Sequence, residues 1–144
     1  MEYLDYTQED ATNDGIGYTI SRYSRKVVVN NKTIGAIIFQ DKKLIIDKSI
    51  IGNIDDKNAK FYFESINKAN SLYLRKIFFS KEYLDSGELE NLFDYITIEI
   101  IPQDFLIWCN DTSLIRKYLT QIGGFNPPLH KIPNSNIMLF SMNL

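Results

Sequence analysis

Two β-branched runs joined by a short polar turn constrain this chain more than any other feature. Lys26-Val-Val-Val-Asn30 and Thr33-Ile-Gly-Ala-Ile-Ile-Phe39 are separated only by the tight-turn signal Asn30-Asn31-Lys32. A connection that short joins only antiparallel neighbours, because a parallel pair needs a long crossover. Tyr18-Thr-Ile-Ser-Arg-Tyr23 alternates in the same way, and Leu44-Ile-Ile46 follows the polar stretch Gln40-Asp41-Lys42-Lys43. The first half therefore reads as an antiparallel meander.

Beyond residue 50 the pattern changes. Gly52-Asn53 and Asp55-Asp56 read as a break and a helix start. Over residues 57–68, Ala59, Phe63 and Ile66 share a helical stripe while Phe61-Tyr62-Phe63 favours a strand; a short helix is the expectation. Leu72-Tyr-Leu-Arg-Lys-Ile-Phe-Phe79 alternates as a buried strand, and Ser80 to Gly87 is a polar crossing. Leu89, Leu92, Phe93 and Ile96 then form a helical face, with Glu88 and Glu90 in the first turn, where the helix dipole favours acids. Pro102 closes that segment, and Phe105-Leu-Ile-Trp-Cys109 is an apolar run of strand length. Asp111 or Thr112 can cap a helix carrying Leu114, Ile115, Tyr118 and Leu119. Gly123-Gly124 stops it, and Ile137-Met-Leu-Phe-Ser-Met142 is a last strand. Strand, helix, strand, helix, strand implies an α/β fold with a mixed, mainly antiparallel central sheet flanked by helices.

Composition narrows the function classes. The 144 residues make one domain, 1–144, with enough length to bury a core. Lys and Arg number 16 against 18 Asp and Glu, and residues 1–14 hold Glu2, Asp5, Glu9, Asp10 and Asp14 with no basic residue. That acidic start is expected as a solvated, flexible arm. The weak, dispersed charge excludes nucleic acid as a partner. No apolar run reaches the length of a membrane span, so no membrane association is expected. The start Met1-Glu2-Tyr3-Leu4-Asp5 lacks the marks of a secretory signal. A single cysteine, Cys109, and a single histidine, His130, exclude an internal disulfide and a histidine-rich metal cage. The reducing cytoplasm fits this composition.

Other chemistry-bearing residues have plainer readings. Cys109 closes an apolar run beside Trp108 and is expected as a buried structural cysteine, since a thiol nucleophile wants a histidine or a helix N-terminus nearby. Asp47, Asp55 and Asp56 match no calcium-loop spacing and read as turn residues, so no metal is expected. Phe61, Phe63, Phe78, Phe79 and Phe93 fall in apolar runs and are expected in the core.

Tyr73-Leu-Arg-Lys-Ile-Phe-Phe-Ser-Lys-Glu-Tyr83 resembles the fourth strand and following turn of the GNAT superfamily of N-acetyltransferases. Phe105 to Cys109, Asn110-Asp-Thr, the following helix and Gly124-Phe125 resemble that family's fifth strand, fourth helix and Gly-Phe signature. Lys26–Phe39 is similar to the hairpin before it, and Ile137–Met142 to its final strand. The resemblance implies transfer of an acetyl group from acetyl-CoA to an amine by direct attack. It implies donor binding by the backbone of Ile77, Phe78 and Phe79 along the pantetheine arm. It implies pyrophosphate binding by Leu84, Asp85, Ser86, Gly87, Glu88 and Leu89, with charge from Lys81. In place of the family's glycine-rich loop only Gly87 remains, and Asp85 and Glu88 put two negative charges beside the expected phosphates.

The family's tyrosine acid falls four residues before the Gly-Phe glycine, at Thr120, so Tyr118 is the candidate two residues away. A general base for the amine would come from Glu64 or Asp47. The partners implied are acetyl-CoA and an amine acceptor. The alternative is a catalytically inactive GNAT-fold module that binds a protein partner, and a homodimer is left open.

Overall fold

The computed structural model describes residues 1–110, Thr112, Ile115, Lys117, Tyr118, His130, Lys131 and 137–140. The hairpin demanded by the sequence is present: β2 (Arg25–Val29) and β3 (Lys32–Gln40) run antiparallel. Asn30 and Asn31 between them have φ of +51° and +64°. Two left-handed residues give the turn a twist that matches its strands, and asparagine tolerates that conformation better than most residues.

Around this hairpin lie β1 (Glu2–Asp5), β4 (Asn70–Phe79), β5 (Phe105–Asn110), β6 (His130–Lys131) and β7 (Ile137–Phe140). They form one seven-stranded sheet in the order β1-β2-β3-β4-β5-β7-β6. Every pair is antiparallel except β4 and β5. That parallel pair is joined through helix α4 (Glu88–Tyr95), the crossover that parallel neighbours require. The fold is thus α/β with a mixed, mainly antiparallel sheet flanked by helices.

Three expectations about the first half need correction. The acidic start is ordered: β1 pairs with β2, and helix α1 (Gln8–Asn13) follows. A reciprocal capping box holds α1, with Asp10 N–H donating to Thr7 Oγ1 at 3.1 Å and Thr7 N–H to Asp10 Oδ2 at 2.9 Å. Lys26 on β2 then pairs with Asp10 at 3.0 Å, which ties α1 to the sheet. A helix therefore lies between β1 and the hairpin.

Tyr18–Tyr23 alternates without forming a strand. Its backbone is held partly by a side chain, with Gln8 donating to Tyr18 O and accepting from Ile20 N–H, and partly by Ser21 N–H donating to the Phe39 carbonyl at 2.7 Å. Leu44–Ile46 likewise keeps its alternation, with Leu44 and Ile46 buried and Ile45 exposed. Its donors find Ser71 Oγ and Asn67 Oδ1, both at 2.6 Å, rather than a neighbouring strand. Periodicity reported burial correctly in Leu44–Ile46, whereas in Tyr18–Tyr23 the polar Ser21 is fully buried; in both segments the hydrogen-bond partner was non-local. Phe61, expected in the core, is 72% exposed on the outer side of its helix.

Helix α2 (Lys48–Gly52) starts at Asp47, and α3 (Lys57–Lys68) starts at Asp56, whose carboxylate accepts from Asn58 and Ala59 N–H. Phe63 and Ile66 are the buried stripe of α3, as their spacing predicts. In α4 the buried face is Leu89, Leu92 and Phe93, continued by Ile96 in a wider closing turn, Ile96–Ile100. Each such side chain contributes about 1.5–3 kcal/mol when fully buried. No helix among the described residues is long and apolar enough to cross a membrane.

Candidate functional site

The parallel contact between β4 and β5 is short. It runs from Asn70↔Phe105 to Tyr73↔Trp108 and ends there. β4 continues to Phe79, still paired with β3 on its other side, whereas Cys109 and Asn110 of β5 pair with β7. The β5-facing edge of Leu74–Phe79 thus has no strand neighbour among the described residues. An opening of this kind leaves backbone N–H and C=O groups available to an added extended chain.

A bulge sits at the opening. Ile38 pairs with Lys76 and Phe39 with Leu74, so Arg75 is the extra residue on β4. Bulges bend a strand and re-aim its side chains; here Arg75 and Lys76 are exposed in succession, where strict alternation would bury one.

Beyond β4, Lys81–Tyr83 makes a single tight helical turn with Lys81 exposed. Gly87 then opens α4 with φ +82°, and a Cβ there would meet nothing within 4 Å. Gly87 is therefore required by its backbone conformation, not by crowding. Asp85 and Ser86 are exposed and Leu84 is half-buried. Leu89 points into the core at 2% exposure, so only its backbone belongs to the loop surface. The Glu88 carboxylate accepts from the Tyr3 hydroxyl at 3.5 Å. Burial, then the nearby Glu88 charge, pushes the Tyr3 hydroxyl above its ordinary pKa. Glu88 is thereby drawn towards β1, which leaves Asp85 as the exposed acid of the loop.

Ile77 and Phe79 are buried and Phe78 is half-buried against Tyr6, so all three present backbone rather than side chains to the open edge. Tyr118 is helical and only 8% exposed, packed in the main core with Ile115. Thr112 supports this turn, its Oγ1 accepting from Ile115 N–H at 3.2 Å. Glu64 lies elsewhere, on an open cleft of about 490 Å³ between α2 and α3, beside Lys48, Lys60 and Lys68. No described residue of β4, β5 or the Tyr118 turn lines that cleft. The structure therefore groups Ile77–Phe79, Lys81 and the 84–89 loop along one path, and it leaves Glu64 apart from them.

Asp47 is a capping carboxylate: Ser49 N–H and Oγ both donate to it and hold it below the usual carboxylate range. Cys109 is buried in β5. Gly123, Gly124 and Phe125 lie outside the described residues, as does the His130 side chain.

A cluster that the sequence did not reveal surrounds the last parallel rung. Tyr73 and Trp108 stack with ring centres 4.4 Å apart at 13°. Asn110 Nδ2 donates to the Tyr73 hydroxyl at 2.9 Å, and Trp108 Nε1–H to the Lys42 carbonyl at 2.9 Å. The Arg75 guanidinium lies 4.6 Å from the Tyr18 ring centre and 5.7 Å from that of Tyr73. The Lys42 ammonium is 5.5 Å from Tyr73 and 5.8 Å from Trp108. Four separate segments supply these residues, so no local pattern could have grouped them.

No family model matches the chain, and no curated protein sequence is similar to it. Among solved structures, the chain is similar to a provisionally named acetyltransferase from Staphylococcus aureus Mu50, with 18% identity and a TM-score of 0.48. The likeness covers 92% of this chain and 74% of the other.

Proposed function

We propose that the chain is an acetyl-CoA-dependent N-acetyltransferase acting by direct attack within a ternary complex. One observation carries the reading: β4 and β5 part after Tyr73 and Trp108, leaving the edge of Leu74–Phe79 open. An extended pantetheine arm would add to that edge beside Ile77, Phe78 and Phe79 as a strand does. The pyrophosphate would meet backbone N–H groups of the 84–89 loop and the first turn of α4, where helix termini favour anions. Lys81 would add a positive charge. The Tyr3 hydroxyl donates to Glu88 and lessens one of the two repulsions that the sequence places there.

In the reaction the acceptor nitrogen bonds to the thioester carbonyl carbon, the carbon–sulfur bond breaks, and CoA leaves as a thiolate. Tyr118 is proposed as the acid that protonates the thiolate; Glu64 lies on a separate cleft, so the amine proton is proposed to pass to solvent water instead. Burial of Tyr118 and the exposed Asp85 favour a second reading, a catalytically inactive module of the same fold with a protein partner.

Calorimetric titration with acetyl-CoA, and with CoA alone, separates the two. Micromolar binding is expected, tightened by Asp85→Asn, which removes the exposed loop acid. Absence of heat at millimolar ligand would sink the acetyltransferase and turn attention to a protein partner.

A further inference from the structure

The donor edge makes no use of the charge gathered at its inner end. Arg75 is exposed because the β4 bulge re-aims it, and its guanidinium rests near the Tyr18 and Tyr73 rings. Lys42 is held close by, since its own carbonyl accepts the Trp108 indole N–H. Both cations lie within 6 Å of the Tyr73 ring centre, at 5.7 and 5.5 Å. Neither is paired with a carboxylate among the described residues, where the ion pairs are Arg25–Asp5 and Lys26–Asp10. Two cations by one ring, neither in an ion pair among the described residues, favour a local positive potential. Tyr73 and Trp108 beneath them are each 5% exposed, so the charges stand over a dry aromatic floor. A low-polarity floor strengthens attraction for an anion. Aromatic faces hold a guanidinium without neutralising it, and its planar fork suits carboxylate and phosphate oxygens.

We propose that Arg75 and Lys42 form an anion-binding subsite at the rung where β4 and β5 part, and that the acceptor is an amine that also carries a carboxylate or phosphate. The acceptor half rests on the acetyltransferase reading; the anion subsite does not. With the donor arm laid along the open edge up to the Tyr73–Trp108 rung, its reactive end stops where these cations stand. An acceptor anchored there by its anion would hold its amine within reach of the thioester.

Trp108 is the chain's single tryptophan, so its fluorescence reports on this floor directly. The intact chain would be titrated with L-aspartate against L-asparagine amide, and with phosphoethanolamine against ethanolamine. The anionic member of a pair is expected to change Trp108 emission and the neutral member to leave it unchanged; the tighter pair identifies carboxylate or phosphate. Arg75→Gln and Lys42→Gln should each weaken that response about tenfold, the loss of a charge-assisted hydrogen bond. Both residues are exposed, and their variants should keep the parent's melting temperature and acetyl-CoA affinity.

Equal response to both members of each pair, or an unchanged response in both variants, would overturn the subsite even if acetyl-CoA binds. Discrimination of the anions without any acetyl-CoA binding would uphold the subsite, overturn its acceptor role, and count against acetyl transfer itself.

Discussion

Gly35 on β3 lies opposite Phe79 at the end of the open edge, and the two strands approach so closely that a Cβ on Gly35 would run into the Phe79 ring. That ring is buried, so it has no free direction in which to yield. Gly35→Ala is expected to destabilise by about 1–3 kcal/mol, the cost of overpacking a closed site. A denaturant midpoint measured beside that of the parent checks this, and an unchanged midpoint would show that the Phe79 ring moves freely. The substitution would also shift the backbone proposed to bind the donor, so loss of acetyl-CoA affinity should accompany it. At this scale the sequence was informative only in part. Leu72–Phe79 read as a buried strand, but the extra residue Arg75 is visible only once β3 pairs with β4.

At the scale of elements, local chemistry and non-local pairing divide the outcome. Helix α3 starts and ends where its stripe and the Asp56 cap direct, because both signals act within a few residues. The turn at Asn30-Asn31 is equally local. Helix α1 depends on the same kind of signal, a capping box from Thr7 and Asp10, yet it has one fully buried residue, Ala11, and too short a stripe to read. Thr7→Ala removes its main cap and should cost about 0.5–2 kcal/mol. Loss of hydrogen-exchange protection confined to α1 and its contact with β2 would confirm it; no change at Ala11 N–H would contradict it. Tyr18–Tyr23 failed as a strand because β1 already occupies the edge of β2, leaving that segment to be held partly by the Gln8 side chain.

For the whole molecule, pH links the outer elements to the sheet. Burial, followed by the hydrogen bond to Asp14, raises the Tyr6 hydroxyl well above its ordinary pKa, and burial also raises those of Tyr3 and Tyr62. Above about pH 10 the unfolded chain loses these protons while the folded chain retains them, so stability falls as pH rises. At the other end, burial pushes Asp10 up, but the Thr7 N–H and the Lys26 ammonium outweigh it and lower its pKa. That contribution is present above the ordinary carboxylate range and is lost as pH falls through the folded value. A denaturant midpoint lower at pH 11 than at pH 8 is expected; equal midpoints would contradict the buried tyrosines. The sequence by itself determined the hairpin, the helices with strong caps, the buried faces and the α/β class, because turn conformation, capping and periodicity act over a few residues. Only the tertiary structure decided that the acidic start is an edge strand, that β4 and β5 part after four paired residues, and that Arg75 and Lys42 each lie by the Tyr73 ring. Those facts depend on which distant strands become neighbours, and a one-dimensional pattern carries no record of that choice.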